Sequence, residues 1–279
     1  MRPAARRYAI LAAIAAAVVI LGLAVAAQMR GAAGLASPAP GAAAYIAAAR
    51  QRVGEPAPAA GLGWPACELQ LEQSKPPGLP RVAILGASFT AGVGSSPGGS
   101  WAVLLARHLH WDAVVYGVPG AGYVRPGAGH GGPVAAEIAR VGLRALAPSL
   151  IIVQVGHDDI GIPPALERQR VTQAMAAIRA QAPRARVALL TVFPGRSPLG
   201  AAYRTDQAIV DAARAADHAV IIIDPLTGHW TFPHMRDGLH PTPAGSAWIA
   251  GQVAAILRDH GVHPAPAAAG PGPIICDHS

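Results

Sequence analysis

Two short strings in this chain carry residue types that together perform nucleophilic catalysis. In the first, an apolar run ends in Gly86-Ala87-Ser88, which places one hydroxyl directly after a predicted strand. In the second, much later along the chain, Asp237 stands three positions before His240. A hydroxyl, an imidazole and a carboxylate are the nucleophile, the general base and the orienting acid of acyl transfer. We therefore interpret Ser88, His240 and Asp237 as a candidate catalytic triad.

His240 is selected from 11 histidines because it alone follows a carboxylate by three residues. One ring nitrogen can then bind Asp237, while the other ring nitrogen faces the serine. The alternative is a loop histidine that caps the next helix. A metal site built from His229, His234 and His240 is not predicted, because their spacing matches no common zinc pattern. No cofactor is expected.

Two further strings lie between these two, first a glycine at Gly120 and then Gly-His-Asp-Asp at residues 156–159. With all four strings in this order, the chain resembles the SGNH/GDSL hydrolase family over roughly residues 80–260. The resemblance implies a serine esterase, lipase or acyl hydrolase. Two positions depart from the family's pattern, because Ala87 replaces the aspartate of Gly-Asp-Ser and Asp158 replaces an asparagine.

The resemblance also implies an oxyanion hole formed by the N–H groups of Ser88 and Gly120 and by Asp158. Serine favours the start of a helix, and the N–H groups beside it there can hold an anion. An ionised aspartate cannot donate a hydrogen bond, so either two donors suffice or Asp158 is protonated. We favour protonation, because we expect burial and the adjacent Asp159 to raise the pKa of this carboxyl.

The glycine-rich stretch from Gly117 to Gly132 is either a mobile cover for the cleft or a long surface connection. Its candidate substrate contacts are Tyr123 and Arg125. Arg125 would meet an anionic substrate group, and the alternative is a solvated loop arginine. Residues 86–94 do not form a phosphate-binding loop, because the Lys-Ser/Thr ending is missing.

Strand and helix patterns alternate from Arg81 onwards. Strands are predicted near 82–86, 112–116, 149–155, 186–192 and 219–223, and helices near 99–110, 133–147, 164–182, 199–217 and 242–260. This alternation predicts an α/β fold with a parallel sheet between helices. Two runs, 150–153 and 220–223, are apolar throughout, which predicts a central position in the sheet. The resemblance implies a flavodoxin-like three-layer α/β/α sandwich with a five-stranded parallel sheet, the SGNH hydrolase fold, and a site beyond the strands' carboxyl ends.

Residues 1–27 are predicted to be a signal peptide or a membrane anchor. An uncharged apolar run at 9–27 follows arginines at positions 2, 6 and 7, the charge pattern of an export signal. The run can just span a bilayer, while the small residues at 24 and 26 offer a cleavage site, so both outcomes stay open. We expect an extracytoplasmic protein, membrane-anchored or secreted.

The rest of the chain divides by composition. Residues 28–80 are rich in Ala, Pro and Gly and are predicted to be a linker and wrapping segment, residues 81–260 the catalytic domain, and residues 261–279 a tail that crosses the surface. The two cysteines, Cys67 and Cys276, flank the hydrolase-like region. In an exported chain they are expected to form a disulfide, the alternative being two free thiols.

The formal net charge is +7, but outside the leader the basic residues form no run along the sequence. The charge reflects an arginine-rich composition, so no nucleic-acid partner is predicted. The expected partners are an ester substrate and, through the N-terminal segment, a membrane. We predict an exported serine esterase that acts on an acylated envelope glycan or a lipid. An acyltransferase that uses the same acyl-enzyme and a non-catalytic glycan-binding protein are the alternatives.

Overall fold

The computed structural model of the chain describes residues 81–128, 132–195, 199–265 and 273–276. The predicted leader at 1–27 and the linker at 28–80 lie outside these residues. Among the helices that are described, none combines the length and the apolar character needed to cross a bilayer.

The described residues form six strands and seven α-helices in alternation. The strands are β1 (Arg81–Gly86), β2 (Asp112–Gly117), β3 (Leu150–Gln154), β4 (Arg186–Leu190), β5 (Ile221–Ile223) and β6 (Ile274–Cys276). The helices are α1 (Ser88–Ala91), α2 (Trp101–His108), α3 (Val134–Val141), α4 (Leu143–Leu146), α5 (Pro164–Gln181), α6 (Leu199–Ala216) and α7 (Pro243–Asp259). The helix predicted at 133–147 is divided into α3 and α4 at Gly142, whose φ of +59° is left-handed.

The strands form one parallel sheet in the order β5-β4-β3-β1-β2-β6. The chain leaves β1 towards β2 on one side and returns to β3 on the other. The carboxyl ends of β1 and β3 therefore form a topological switch point, where α/β sheets open a crevice for ligands. At this edge Gly86 of β1 pairs with Gly117 of β2 and Gln154 of β3.

Helices cover both faces of the sheet, as the predicted three-layer α/β/α sandwich requires. Along β1, Ala83 and Leu85 point into one core, which is shared with α3, α5 and α6. Val82 and Ile84 point into the opposite core, which is shared with α2 and α7. The α/β fold and its parallel sheet are as predicted.

Two details of the predicted sheet are wrong. The sheet has six strands rather than five, because residues 274–276 of the predicted surface tail pair with β2 and cover its otherwise open edge. The apolar run at 220–223 lies at the sheet edge as β5 and not at the centre. Its side chains are apolar because helices cover both faces of the sheet there, and that cover does not require a second neighbouring strand.

Cys276 ends β6, is buried and is disulfide-bonded. The other cysteine of the chain, Cys67, lies outside the described residues, so the pairing of Cys67 with Cys276 stays a prediction.

If these two cysteines are partners, Cys67→Ser and Cys276→Ser should each lower the free energy of unfolding. The loss should be about 5 kcal/mol in the chain-entropy model for a loop of this length. The double variant should lose no more than either single variant, because both changes remove the same bond. Urea unfolding measures this, and the intact mass of the wild type should rise by two hydrogens on reduction. Additive losses, or thiols that alkylate without reduction, would exclude the pairing.

Candidate active site

The turn that carries Ser88 is held against the strand beside it. Ala87 donates its N–H to the Gln154 carbonyl oxygen at 2.9 Å, and Thr90 donates its N–H and its hydroxyl to Gln154 Oε1 at 3.2 and 2.9 Å. A Cβ at Gly86 would overlap the Thr90 side chain, so glycine is needed for this approach. Ser88 therefore begins α1 directly after β1, in a position set by β3.

The Asp237 carboxylate organises its own turn as well as the His240 ring. Asp237 Oδ1 accepts the N–H groups of Leu239 and His240 at 2.9 and 3.1 Å. Asp237 Oδ2 lies 2.7 Å from His240 Nδ1. Gly238 occupies the bend with a φ of +72°, and the Met235 N–H donates to the His240 carbonyl oxygen at 2.7 Å. The short spacing Asp-x-x-His thus builds a closed turn that presents the imidazole.

The two halves of the predicted triad meet at one hydrogen bond. His240 Nε2 lies 2.9 Å from the Ser88 hydroxyl oxygen. A carboxylate can only accept, so the proton on His240 Nδ1 points to Asp237 and the Nε2 lone pair accepts from the serine hydroxyl. This is the arrangement in which an imidazole can remove the proton of an attacking hydroxyl.

The environment keeps Asp237 in its ionised form. Partial burial raises its pKa, but the hydrogen bonds from the His240 ring and from two backbone N–H groups outweigh burial, and the net pKa is lowered. An ionised carboxylate stabilises the positive imidazolium that forms when His240 takes a proton.

All three phenylalanines of the chain lie together beneath His240. The Phe89 ring is 5.6 Å from the His240 ring and stacks on Phe193 at 4.2 Å, and Phe232 meets both phenylalanines edge-on at 6.3 and 5.8 Å. These rings are buried and form a rigid apolar layer, and Phe89 is the member of that layer that supports the imidazole. The scarcity of phenylalanine in the sequence gave no sign of this cluster.

Two backbone N–H groups follow the carboxyl ends of the neighbouring strands β1 and β2. Ser88 is the first residue of α1, and Gly120 adopts a left-handed φ of +81° in the loop after β2. Among the described residues, no acceptor is hydrogen-bonded to the N–H of either one. Both N–H groups can therefore donate to an oxyanion, as the resemblance implies.

The carboxyl of Asp158 lies just beyond β3, at the same edge of the sheet. Burial raises the pKa of Asp158, the adjacent charge of Asp159 raises it further, and Arg125 partly offsets both, giving a pKa of about 6. These are the two causes expected from the sequence, in the same direction. The protonated form, which can donate a hydrogen bond, is present below pH 6.

His157 is a neighbour of His240 that the sequence analysis did not single out. Its Nδ1 lies 3.1 Å from the Phe193 carbonyl oxygen, which can only accept, so Nδ1 carries the proton. Burial lowers the pKa of His157, and the nearby His240 lowers it further. The ring is therefore a neutral imidazole at neutral pH.

The two predicted substrate contacts differ in their surroundings. Tyr123 is buried, with 3% of its surface exposed, and its phenol lies near Glu167 and Asp159. Its apolar ring packs into the core below the loop, and its substrate contact stays a prediction. Arg125 is exposed, and its substrate contact stays a prediction.

The described residues contain no cluster of three or more His, Cys, Asp or Glu side chains that could share a metal ion.

Comparison with known proteins gives concordant results. A sequence model described as the GDSL-like Lipase/Acylhydrolase family matches residues 84–248. A GDSL lipase of Mycobacterium tuberculosis is 28% identical over 196 residues, which is 64% of this chain and 82% of that protein.

Solved structures share the fold. A carbohydrate esterase family 2 enzyme of Corynascus thermopiles has a TM-score of 0.56 and 20% identity, covering 67% of this chain and 68% of that chain. The psychrotrophic esterase EstA from Pseudoalteromonas has a TM-score of 0.51 and 16% identity, covering 64% and 97%. Because the family match spans more than half of the sequence and includes Ser88, Gly120, Asp237 and His240, the chain belongs to the GDSL-like lipase/acylhydrolase family of ester hydrolases.

Proposed function

We propose that this protein is a serine esterase that hydrolyses a carboxylic ester through an acyl-enzyme on Ser88. The observation that carries the proposal is the continuous hydrogen-bond chain from the Ser88 hydroxyl to His240 at 2.9 Å and from His240 to Asp237 at 2.7 Å. Asp237 is ionised, as the orienting acid must be, and the site lies at the switch point of the sheet, where substrate can enter.

In the proposed reaction Ser88 Oγ attacks the ester carbonyl while His240 Nε2 takes the hydroxyl proton. The N–H groups of Ser88 and Gly120, together with protonated Asp158, stabilise the tetrahedral oxyanion. His240 returns the proton to the leaving alcohol, and the acyl group remains on Ser88. His240 then removes a proton from water, which attacks the acyl-enzyme and releases the acid.

The proposed substrate is an acylated glycan or a lipid ester of the cell envelope. Carbohydrate esterases are among the proteins that share this fold, and a GDSL lipase is similar in sequence. The envelope assignment depends on the export signal predicted at residues 1–27, and exposed Arg125 is the residue we propose for an anionic substrate group. Hydrolysis of acetylated glycans, of long-chain esters and of p-nitrophenyl acetate, each measured with and without a glycan acceptor, distinguishes these substrates and separates hydrolysis from acyl transfer.

We expect a fluorophosphonate probe to label Ser88 covalently. Ser88→Ala should abolish both labelling and turnover, and His240→Ala should lower kcat by several orders of magnitude, because the general base is lost. Mass spectrometry of the labelled peptide and ester hydrolysis measure these effects. His260→Ala, which changes an exposed histidine at the end of α7, is the control and should leave both unchanged. Full activity in Ser88→Ala would exclude the proposed nucleophile.

The pKa of Asp158 generates a prediction about pH. Its folded-state pKa is raised to about 6, so the donor form is lost as the pH rises through 6, while His240 must be neutral to act as a base. The wild type should therefore show a narrow bell-shaped rate profile. Asp158→Asn supplies a permanent N–H donor, so it should keep the activity seen near pH 6 and exceed the wild type by about tenfold at pH 8.

Profiles of kcat/KM between pH 4 and 9 measure this effect. Asp211→Asn, which changes an exposed carboxylate on α6, should retain the wild-type profile. Loss of activity in Asp158→Asn with an unchanged alkaline limb would mean that Asp158 acts as an ionised group instead.

A further inference from the structure

A second carboxyl pair lies beneath the loop that contains Gly120. Asp159 ends the 3₁₀ turn after β3, and Glu167 lies in the first turn of α5. Both side chains are fully buried. The catalytic steps proposed above use neither of them, although two buried carboxyls side by side are costly unless something compensates them.

Asp159 is the acceptor on which the loop is built. Its carboxylate accepts the N–H groups of Tyr123 at 2.5 Å, Arg125 at 3.0 Å and Val124 at 3.4 Å. A Cβ at Gly122 would overlap this carboxylate, so the loop can close over Asp159 only with glycine there.

Backbone hydrogen bonds between residues that are close in sequence connect this anchored segment to Gly120. Ala121 donates its N–H to the Val118 carbonyl oxygen at 3.0 Å, and Ala128 donates to the Pro119 carbonyl oxygen at 2.7 Å. Ala121 also pairs with Pro126 in an antiparallel bridge. Gly120 lies inside this closed loop, so the direction of its N–H depends on the segment that Asp159 holds.

Glu167 has a partner only if it carries a proton. Among the described residues, neither of its carboxyl oxygens has a hydrogen-bond partner, and the neighbouring group that acts on its pKa is the Asp159 carboxyl, which can accept. Two carboxylates cannot hydrogen-bond to each other, whereas a protonated carboxyl donates to a carboxylate strongly.

The charges around the pair favour that proton. Burial raises the pKa of Glu167 to about 8, with further contributions from the charge of Asp159 and from the hydrogen bond to it. The groups that face the pair are the buried Tyr123 phenol, Asp158 and Arg125, and only Arg125 is a cation. Burial raises the pKa of Asp159 as well, and its hydrogen bonds from the loop N–H groups and the charge of exposed Arg125 offset that rise only in part.

We propose that Glu167 is a positioning residue whose protonated carboxyl donates to Asp159 and so fixes the loop that presents the Gly120 N–H. The role of this N–H in catalysis rests on the proposed function, whereas the link between Glu167 and the loop does not. Glu167 carries this proton when the loop is closed, because an opened loop would expose its carboxyl to water and return its pKa towards 4.5.

The sign of the pH effect follows from this linkage. A carboxyl with a raised pKa in the closed state stabilises that state fully at low pH and loses the stabilisation as the pH rises through its folded pKa. Closure of the loop should therefore weaken between about pH 5 and pH 8 and stay constant above pH 8.

Hydrogen exchange of the loop amides tests the proposal without any need for activity. In the full wild-type chain, protection of residues 118–128, corrected for intrinsic rates, should fall by up to about tenfold per pH unit towards pH 8 and level off above it. Glu167→Gln keeps a neutral donor at every pH and should remove the part of the fall towards pH 8 that the Glu167 proton causes. Asp206→Asn is the matched control, because Asp206 is a buried carboxyl with a pKa of about 6 that accepts the Val192 N–H elsewhere. It should keep the wild-type slope.

Turnover provides the second readout. Glu167→Met has a similar length but no donor, so it should lower kcat by about tenfold with KM unchanged, because only the oxyanion donor is displaced. Glu167→Gln should restore kcat to within about twofold of the wild type. A purely structural role would lower the amount of folded protein in both variants and leave kcat per labelled Ser88 unchanged.

The outcomes separate the two proposals. A wild-type exchange profile that is flat with pH, or a Glu167→Gln profile that keeps the wild-type slope, overturns the role of Glu167 even if Ser88 is the nucleophile. The expected exchange profiles in a protein whose Ser88 does not react would leave the loop linkage intact and exclude the esterase function.

Discussion

The junction between β1 and α1 depends on the Gln154 side chain and backbone, and the rest of the site depends on this junction. Gln154 accepts from Ala87 and Thr90, so the end of one strand holds the first helical turn that follows its neighbour. Without a side chain at Gly86 the turn can approach closely, and Ser88 emerges at the point where the strand order reverses. The sheet therefore fixes the position of the Ser88 hydroxyl. The turn that carries His240 comes from a much later part of the sequence and completes the site.

Buried carboxyls around this crevice illustrate how environment sets protonation. Asp237 accepts enough hydrogen bonds to offset partial burial, and its pKa falls. Burial and the charge of the adjacent Asp159 both oppose ionisation of Asp158, and Arg125 offsets them only in part, so its pKa rises to about 6. The pKa of Glu167 rises to about 8, because the side chain is buried and the charge of the neighbouring Asp159 opposes its ionisation. The carboxyl group thereby supplies a stable anion, a group that titrates near neutrality and a group that keeps its proton at neutral pH.

The apolar layer below His240 has a complementary effect. Phe89 lies against the imidazole and is itself packed on Phe193 and Phe232, while the Asp237 carboxylate orients the ring. Since the serine is held by β3 and the histidine by this layer, their hydrogen bond joins two rigid supports. A preorganised pair of this kind needs little rearrangement before an ester carbonyl is attacked.

Local patterns in the sequence were sufficient for the order of strands and helices and for the parallel sheet, because periodicity is set by neighbours along the chain. Residue types and spacing singled out Ser88, Asp237 and His240, whereas Gly120 and Asp158 were assigned to the site by the resemblance to the SGNH/GDSL family. Tertiary structure alone decided that residues 274–276 become a sixth strand, because three residues cannot signal a strand without the open edge of β2. It also turned Tyr123 inwards, gathered three distant phenylalanines, and brought Glu167 to Asp159 across the β3–α5 connection. Each of these outcomes depends on contacts between residues far apart in sequence or on burial, and neither is encoded in a local pattern.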